Sequence, residues 1–282
     1  MTNPKQKGMN LPMKWTLFLV FLIPTTIGIR ASAEASIAHD SLANAQSNEK
    51  VEFLWSQPEG KGPWPVLILI HPHQEWPNKI GAELFVKNKS LEYWAQKGFV
   101  AVAVSQPGYG ESQGPADYCG PRSQLAVMNV IDHFRQLPFT IKNKFFLYGG
   151  SRGAVIASMI ATKDSLLAGV ILKSGVYDLS SAYKAYPWYS PIKLSMIWEL
   201  GFYDESKMRE RSAINFASQI RSPLLIIHGS EDDRASVENA ELFTKKVKDY
   251  GGSVDLKIIN SEHIIPMQII QSDMESFMRK YL

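Results

Sequence analysis

Short apolar runs alternate along this chain with longer stretches in which apolar residues recur every three or four positions. From Val51 onward the short runs cover 51–55, 66–70, 99–104, 144–148, 170–173, 224–227 and 254–259. Most are β-branched or aromatic and are bounded by Gly or Pro, the pattern of buried strands. Helical periodicity occupies 85–96, 122–136, 154–163, 237–250 and 268–280. Strand followed by helix, repeated, predicts an α/β architecture with a mostly parallel sheet covered by helices on both faces. The rhythm breaks at 178–220, an aromatic-rich stretch between two strands that is too long for a single crossover. It is expected to form a lid or cap insertion. In open α/β sheets ligands bind beyond the carboxyl ends of the strands, so the residues just after each strand carry the search for chemistry.

The first 33 residues depart from this pattern. Lys5, Lys7 and Lys14 precede an apolar run, Trp15 to Ile29, and Ala31-Ser32-Ala33 follows with the small residues a signal peptidase reads. Fifteen residues interrupted by Pro24 are short for a bilayer span, which needs about 20. Residues 1–33 therefore read as a cleavable export signal in preference to a retained anchor, placing the mature protein in the periplasm or outside the cell. Residues 34–49 are small and polar and are expected to be a flexible lead-in to a domain over 50–282.

Composition narrows the picture further. A 45% hydrophobic chain with a net charge of +3 can bury a core and is not globally disordered. Removing the leader takes four basic residues and no acid, leaving 26 basic against 27 acidic residues over 249 positions. Neither balance suggests a nucleic-acid surface. One cysteine, Cys119, excludes an intrachain disulfide framework and a Cys-rich zinc module, and it is expected to be a small packed loop residue.

The strongest motif is Gly149-Gly150-Ser151-Arg152-Gly153, which follows the strand 144–148 and opens the apolar helix beginning at Ala154. This is G-x-S-x-G between strand and helix, the context that presents a serine on a sharp, strained turn. Side chains two residues either side of Ser151 would collide in such a turn, hence the glycines. The following helix aims its free N–H groups and the positive end of its dipole at a reacting oxygen.

A serine hydroxyl needs a base, and the base needs an orienting acid. With a strand–serine–helix elbow the chain order is serine, acid, histidine, so only His228 and His263 qualify as base. His228 closes an apolar strand, whereas His263 lies on a loop past the last strand and is the candidate. The acid is expected after the strand 224–227, where Asp232 and Asp233 stand side by side. The spacing His-Gly-x-x-Asp favours Asp232, with Asp233 as a turn former or as a cap for the next helix. Asp178, also after a strand, is a third option whose plainer reading is a cap at the lid entrance.

The loop after 66–70 reads His71-Pro72-His73-Gln74-Glu75-Trp76. Pro72 has no N–H, so His73 is the expected oxyanion donor, together with the N–H of Arg152. His71-x-His73 could also grip zinc, but nothing nearby supplies the remaining ligands, and no metal is expected. The Arg152 side chain is expected to pair with an acid below the elbow in preference to holding a substrate carboxylate. Candidate pocket residues are Tyr109, in the Gly-rich turn 107–112, together with Trp76 and Trp188. The aromatics Tyr183, Tyr186, Trp188, Tyr189 and Trp198 either line an apolar acyl or aryl pocket or pack the lid onto the domain.

Gly149-Gly150-Ser151-Arg152-Gly153-Ala154, His228-Gly229-Ser230-Glu231-Asp232 and the trailing His263 together resemble the α/β-hydrolase superfamily. The chain is most similar to the catalytic domain of the prolyl oligopeptidase family and its small esterase-like relatives, which include dienelactone hydrolases. The likeness covers nearly all of residues 51–282. Segments 106–110 and 211–215 resemble the same family less specifically. The resemblance implies an α/β-hydrolase fold, with Ser151 as nucleophile, Asp232 as acid, His263 as base, and His73 and Arg152 as oxyanion donors. Two departures matter: His71-Pro72 stands where the family has His-Gly, and there is no room for a substrate-restricting β-propeller. Dienelactone hydrolases carry cysteine where Ser151 stands. The expectation is an exported serine hydrolase without cofactor, acting on small carboxylic esters, with short peptides as the alternative substrates. No nucleic-acid partner and no stable membrane association after leader removal are expected. A non-catalytic binding protein on the same fold would be marked by a broken triad, and all three positions are filled here.

Overall fold

The computed structural model describes Met1, residues 36–44 and residues 46–282. The export-signal reading of residues 1–33 lies outside the described residues apart from Met1, and everything below belongs to the unit 34–282.

Eight strands form one sheet: β1 (Ala38–Ala43), β2 (Lys50–Ser56), β3 (Trp64–Ile70), β4 (Val100–Val104), β5 (Thr140–Gly150), β6 (Gly169–Lys173), β7 (Leu224–Gly229) and β8 (Val254–Ile259). Their order is β1-β2-β4-β3-β5-β6-β7-β8, with β2 antiparallel to both its neighbours, β1 and β4, and the six strands β3 to β8 parallel. The continuous apolar runs are explained by burial on both faces. In β3, Val66, Ile68 and Ile70 enter the core shared with α3 (Pro121–Gln136), α4 (Arg152–Ala161) and α8 (Val237–Asp249). Leu67 and Leu69 enter the opposite core, with α1 (Glu83–Lys87), α2 (Ser90–Gln96) and α9 (Met267–Lys280). Each such side chain contributes roughly 1.5–3 kcal/mol on burial, which fixes the register of the central strands.

The structure adds detail at three places. β1 lies within the segment expected to be a flexible lead-in. Its polar sequence AHDSLA gives no strand signal, and it is held by pairing with β2 and by the Trp55 indole donating to Asp40 at 2.8 Å. The helix expected at 85–96 is two helices, broken at Lys89, which takes φ 59°. Residues 178–220 form a helical insertion: α5 (Leu179–Ala185), α6 (Pro191–Leu200), α7 (Glu205–Arg209) and a 3-10 segment (Ala213–Gln219). Leu179, Tyr183, Met196, Leu200 and Met208 give this insertion a small core of its own. No helix among the described residues is long and apolar enough to cross a membrane.

Candidate active site

Ser151 stands between β5 and α4 at φ 50° and ψ −115°, a conformation strained for a residue with a Cβ. It is locked there by its N–H donating to Lys173 O at 2.7 Å and by its carbonyl accepting from Ala154. The flanking glycines are needed for space. A Cβ on Gly149 would lie 2.2 Å from the carbonyl oxygen of Gly153, and one on Gly153 would lie 2.2 Å from that of Ile70. Gly150 is less confined: a Cβ there would meet the Tyr148 hydroxyl at 3.3 Å, a tight contact with the end of a side chain and not with backbone.

Three loops at the carboxyl ends of β5, β7 and β8 bring Ser151, Asp232 and His263 into hydrogen-bonding series. His263 Nδ1 lies 2.9 and 2.8 Å from the two Asp232 oxygens, and Nε2 lies 2.9 Å from Ser151 Oγ. A carboxylate only accepts, so Nδ1 carries the proton and Nε2 is left to accept from the serine hydroxyl. Burial alone would raise the Asp232 carboxyl. Hydrogen bonds from His228, His263 and the Ala235 N–H overcome that and hold it well below the usual carboxylate range. The neighbouring Asp233 is exposed and makes no part of this series. Asp232 itself forms the turn, accepting from the N–H groups of Arg234 and Ala235, and the residue preceding α8 is Ser236. Asp178 caps α5, accepting from the Ser181 N–H.

His228, buried, is a contact the sequence did not reveal. Its Nε2 lies 2.6 Å from Ala235 O and 3.2 Å from Asp232 Oδ2, the same oxygen that lies 2.8 Å from His263 Nδ1, so both imidazoles meet one carboxylate. The loop bearing His263 is docked on the end of β6: Lys173 Nζ donates to Ile265 O at 3.0 Å, and Ser174 Oγ donates to His263 O at 3.1 Å.

On the other side of Ser151, Arg152 is the first residue of α4, so its N–H has no intrahelical acceptor. The His73 N–H donates to no described residue. His71 is buried with both ring nitrogens engaged: Nδ1 donates to Pro72 O at 2.8 Å, and Nε2 accepts from the Gln106 N–H at 3.1 Å. It has no lone pair left for a metal, so the His-x-His zinc reading does not fit this geometry. Burial pushes its imidazole down to about 3. The Arg152 guanidinium pairs with an acid, Glu199 of helix α6 in the insertion. Cys119 is buried, its thiol 3.4 Å from Arg152 O, and burial pushes it up to about 12.

The candidate pocket residues separate. Tyr109 is buried, its hydroxyl 3.1 Å from His73 Nδ1 and its ring 5.3 Å from the Arg152 guanidinium. Trp76 and Trp188 are 84% and 75% exposed and wall no closed pocket. Among the aromatics of the insertion, Tyr183 packs in its small core and Tyr186 donates to Arg234 O, two residues past Asp232. Tyr189 and Trp198 face solvent.

Residues 86–282 match the prolyl oligopeptidase family. The chain is 25% identical over 226 residues to the uncharacterized peptidase YuxL of Bacillus subtilis, a match that covers 74% of this chain and 32% of that protein. Among solved structures, acylaminoacyl peptidase from Pyrococcus horikoshii superposes with a TM-score of 0.68 at 21% identity, over 89% of this chain and 41% of that one. An esterase from Pyrococcus furiosus superposes with a TM-score of 0.66 at 17% identity, over 88% of this chain and 92% of that one. The chain thus spans about a third of YuxL and two fifths of the acylaminoacyl peptidase. With the motif-bearing loops at the carboxyl ends of a parallel α/β-hydrolase sheet and this match over residues 86–282, the chain belongs to the prolyl oligopeptidase family.

Proposed function

We propose that this chain is an exported serine hydrolase that works through an acyl-enzyme and prefers small carboxylic esters. The observation that carries the reading is the continuous Ser151–His263–Asp232 hydrogen-bond series. In the proposed reaction Ser151 Oγ attacks the substrate carbonyl while its proton passes to His263 Nε2. Asp232 stabilises the resulting imidazolium and holds its tautomer. The tetrahedral oxyanion accepts from the N–H groups of Arg152 and His73, and its collapse expels the alcohol, which takes the proton from His263. Water, activated by the same imidazole, then releases the acid.

Two features favour esters. Glu199 stands beside the elbow, but both its oxygens are engaged, by Arg152 and by the Tyr118 N–H, so it offers no free carboxylate to a peptide's terminal amine. The chain also shares its fold with a protein named an esterase, that of Pyrococcus furiosus. The second reading, a serine exopeptidase on short peptides, is favoured by the family and by the peptidase designation of YuxL. Initial rates on short aryl esters, Pro-containing amides and free-amine dipeptide amides decide between them. Faster ester turnover that disappears in Ser151→Ala is expected; efficient amide cleavage with negligible ester turnover would assign the peptidase. Export rests on the basic, apolar, small-residue order of residues 1–33. Expression of the full chain should yield a product beginning at Glu34, and an intact Met1 on the recovered protein would refute cleavage.

A further inference from the structure

Glu199 is the only acid in α6, whose sequence PIKLSMIWEL is otherwise apolar or neutral but for Lys193. It is nonetheless 94% out of solvent, facing an arginine of which 3% remains exposed. Its oxygens accept Arg152 Nη1 at 2.7 Å and Nη2 at 2.6 Å in a two-point fork, and Oε2 also accepts from the Tyr118 N–H at 2.7 Å. The guanidinium lies 5.3 and 5.0 Å from the ring centres of Tyr109 and Tyr118. Its Nε donates to Gln106 Oε1 at 3.1 Å, which fixes which way the Gln106 amide points. Gln106 Nε2 can therefore donate to His71 O at 2.7 Å, while the Gln106 backbone N–H donates to His71 Nε2. His71 in turn donates to Pro72 O, and the Tyr109 hydroxyl contacts the His73 ring.

The chain of contacts thus begins on the lid and ends on the two residues that flank the oxyanion position, Arg152 and His73. We infer that Glu199 is a positioning residue for the oxyanion site, acting through Arg152 and Gln106 to hold both backbone donors in place. The inference rests on the serine hydrolase reading above. A buried two-point ion pair has one geometry, and a lone buried charge is strongly disfavoured, so docking of α6 and registration of the elbow with the β3 loop occur together. The lid is then part of the catalytic geometry and not a loose flap over it.

The test compares wild type with Glu199→Asp and with the double variant Arg152→Met/Glu199→Met, using Ser151→Ala as the reference for background. Glu199→Asp keeps the charge but draws the fork back by one methylene; the double variant removes both buried charges together, leaving neither unpaired. Both should fold with near wild-type thermal transitions. Expected are a fall in kcat on aryl esters of about 10²-fold, KM within about threefold, and a proportional weakening of a trifluoromethyl ketone, whose tetrahedral adduct occupies the oxyanion site. Unchanged kcat and ketone affinity in the folded double variant would overturn the inference while leaving the hydrolase reading intact. A rise in KM at constant kcat would overturn it too, because it would make Glu199 a substrate contact. Wild-type activity that survives in Ser151→Ala would instead remove the hydrolase reading on which the inference rests.

Discussion

Asp232 and Asp233 are adjacent in sequence and opposite in circumstance. Asp232 is buried and accepts from His263, from two backbone N–H groups and from the side of His228, whereas Asp233 faces solvent. Converting Asp232 to Asn would offer an N–H to His263 Nδ1 and favour the wrong tautomer, so kcat for ester hydrolysis is expected to fall by about 10³–10⁴-fold. Asp233→Asn should stay within about twofold, as for a surface side chain outside the site. Steady-state kinetics on one aryl ester checks both; equal losses would reassign the acid. The preference for Asp232 was legible from the spacing His-Gly-x-x-Asp, but its bracing by His228 was not. A histidine four residues before the acid and closing a strand looks like packing, and only the turn folding back through Ala235 brings its ring to the carboxylate.

At the scale of elements, most of the central sheet was legible because its strands are buried on both faces and read as unbroken β-branched and aromatic runs. β1 was not, because an edge strand with one large apolar residue, Leu42, owes its form to its partner β2. Nor was the break between α1 and α2, where helical periodicity continues across the left-handed Lys89. The β8–α9 loop shows what sequence reading misses at a site: the histidine is visible, its fastenings are not. Ser174, itself at φ 51°, donates to the His263 carbonyl from the end of β6. Ser174→Ala removes that fastening without enlarging the side chain. A bond of this kind contributes ~1 kcal/mol, so if it holds the reactive position of the imidazole, kcat should fall about fivefold. An unchanged kcat would show that the loop holds its geometry without Ser174. Glu199 belongs to the same class: a single acid in an aromatic insertion carries no motif, and while an acid beside Arg152 is expected from the sequence, only the fold shows that α6 supplies it.

For the whole molecule, buried polar groups near the site couple chemistry to stability. His71 is neutral in the folded chain, pushed down to about 3 mainly by burial, with Arg152 and His73 adding to the effect and the bond to Pro72 O opposing it. Once unfolded, the same imidazole titrates near 6.5. Between these values the unfolded chain takes up a proton that the folded chain refuses, so stability falls as pH drops from about 6.5 towards about 3. Relative to His71→Gln, which does not titrate, wild type should lose up to ~1.4 kcal/mol more per pH unit across that window in denaturant unfolding. Parallel curves would contradict the assignment.

The central claim, that Ser151 is the nucleophile of this domain, is tested most directly by treating the folded protein with a fluorophosphonate and mapping the adduct by peptide mass spectrometry. The account predicts one adduct, on Ser151, absent in Ser151→Ala and strongly slowed in His263→Ala. A folded wild-type protein that remains unlabelled, or that is labelled elsewhere, would contradict it.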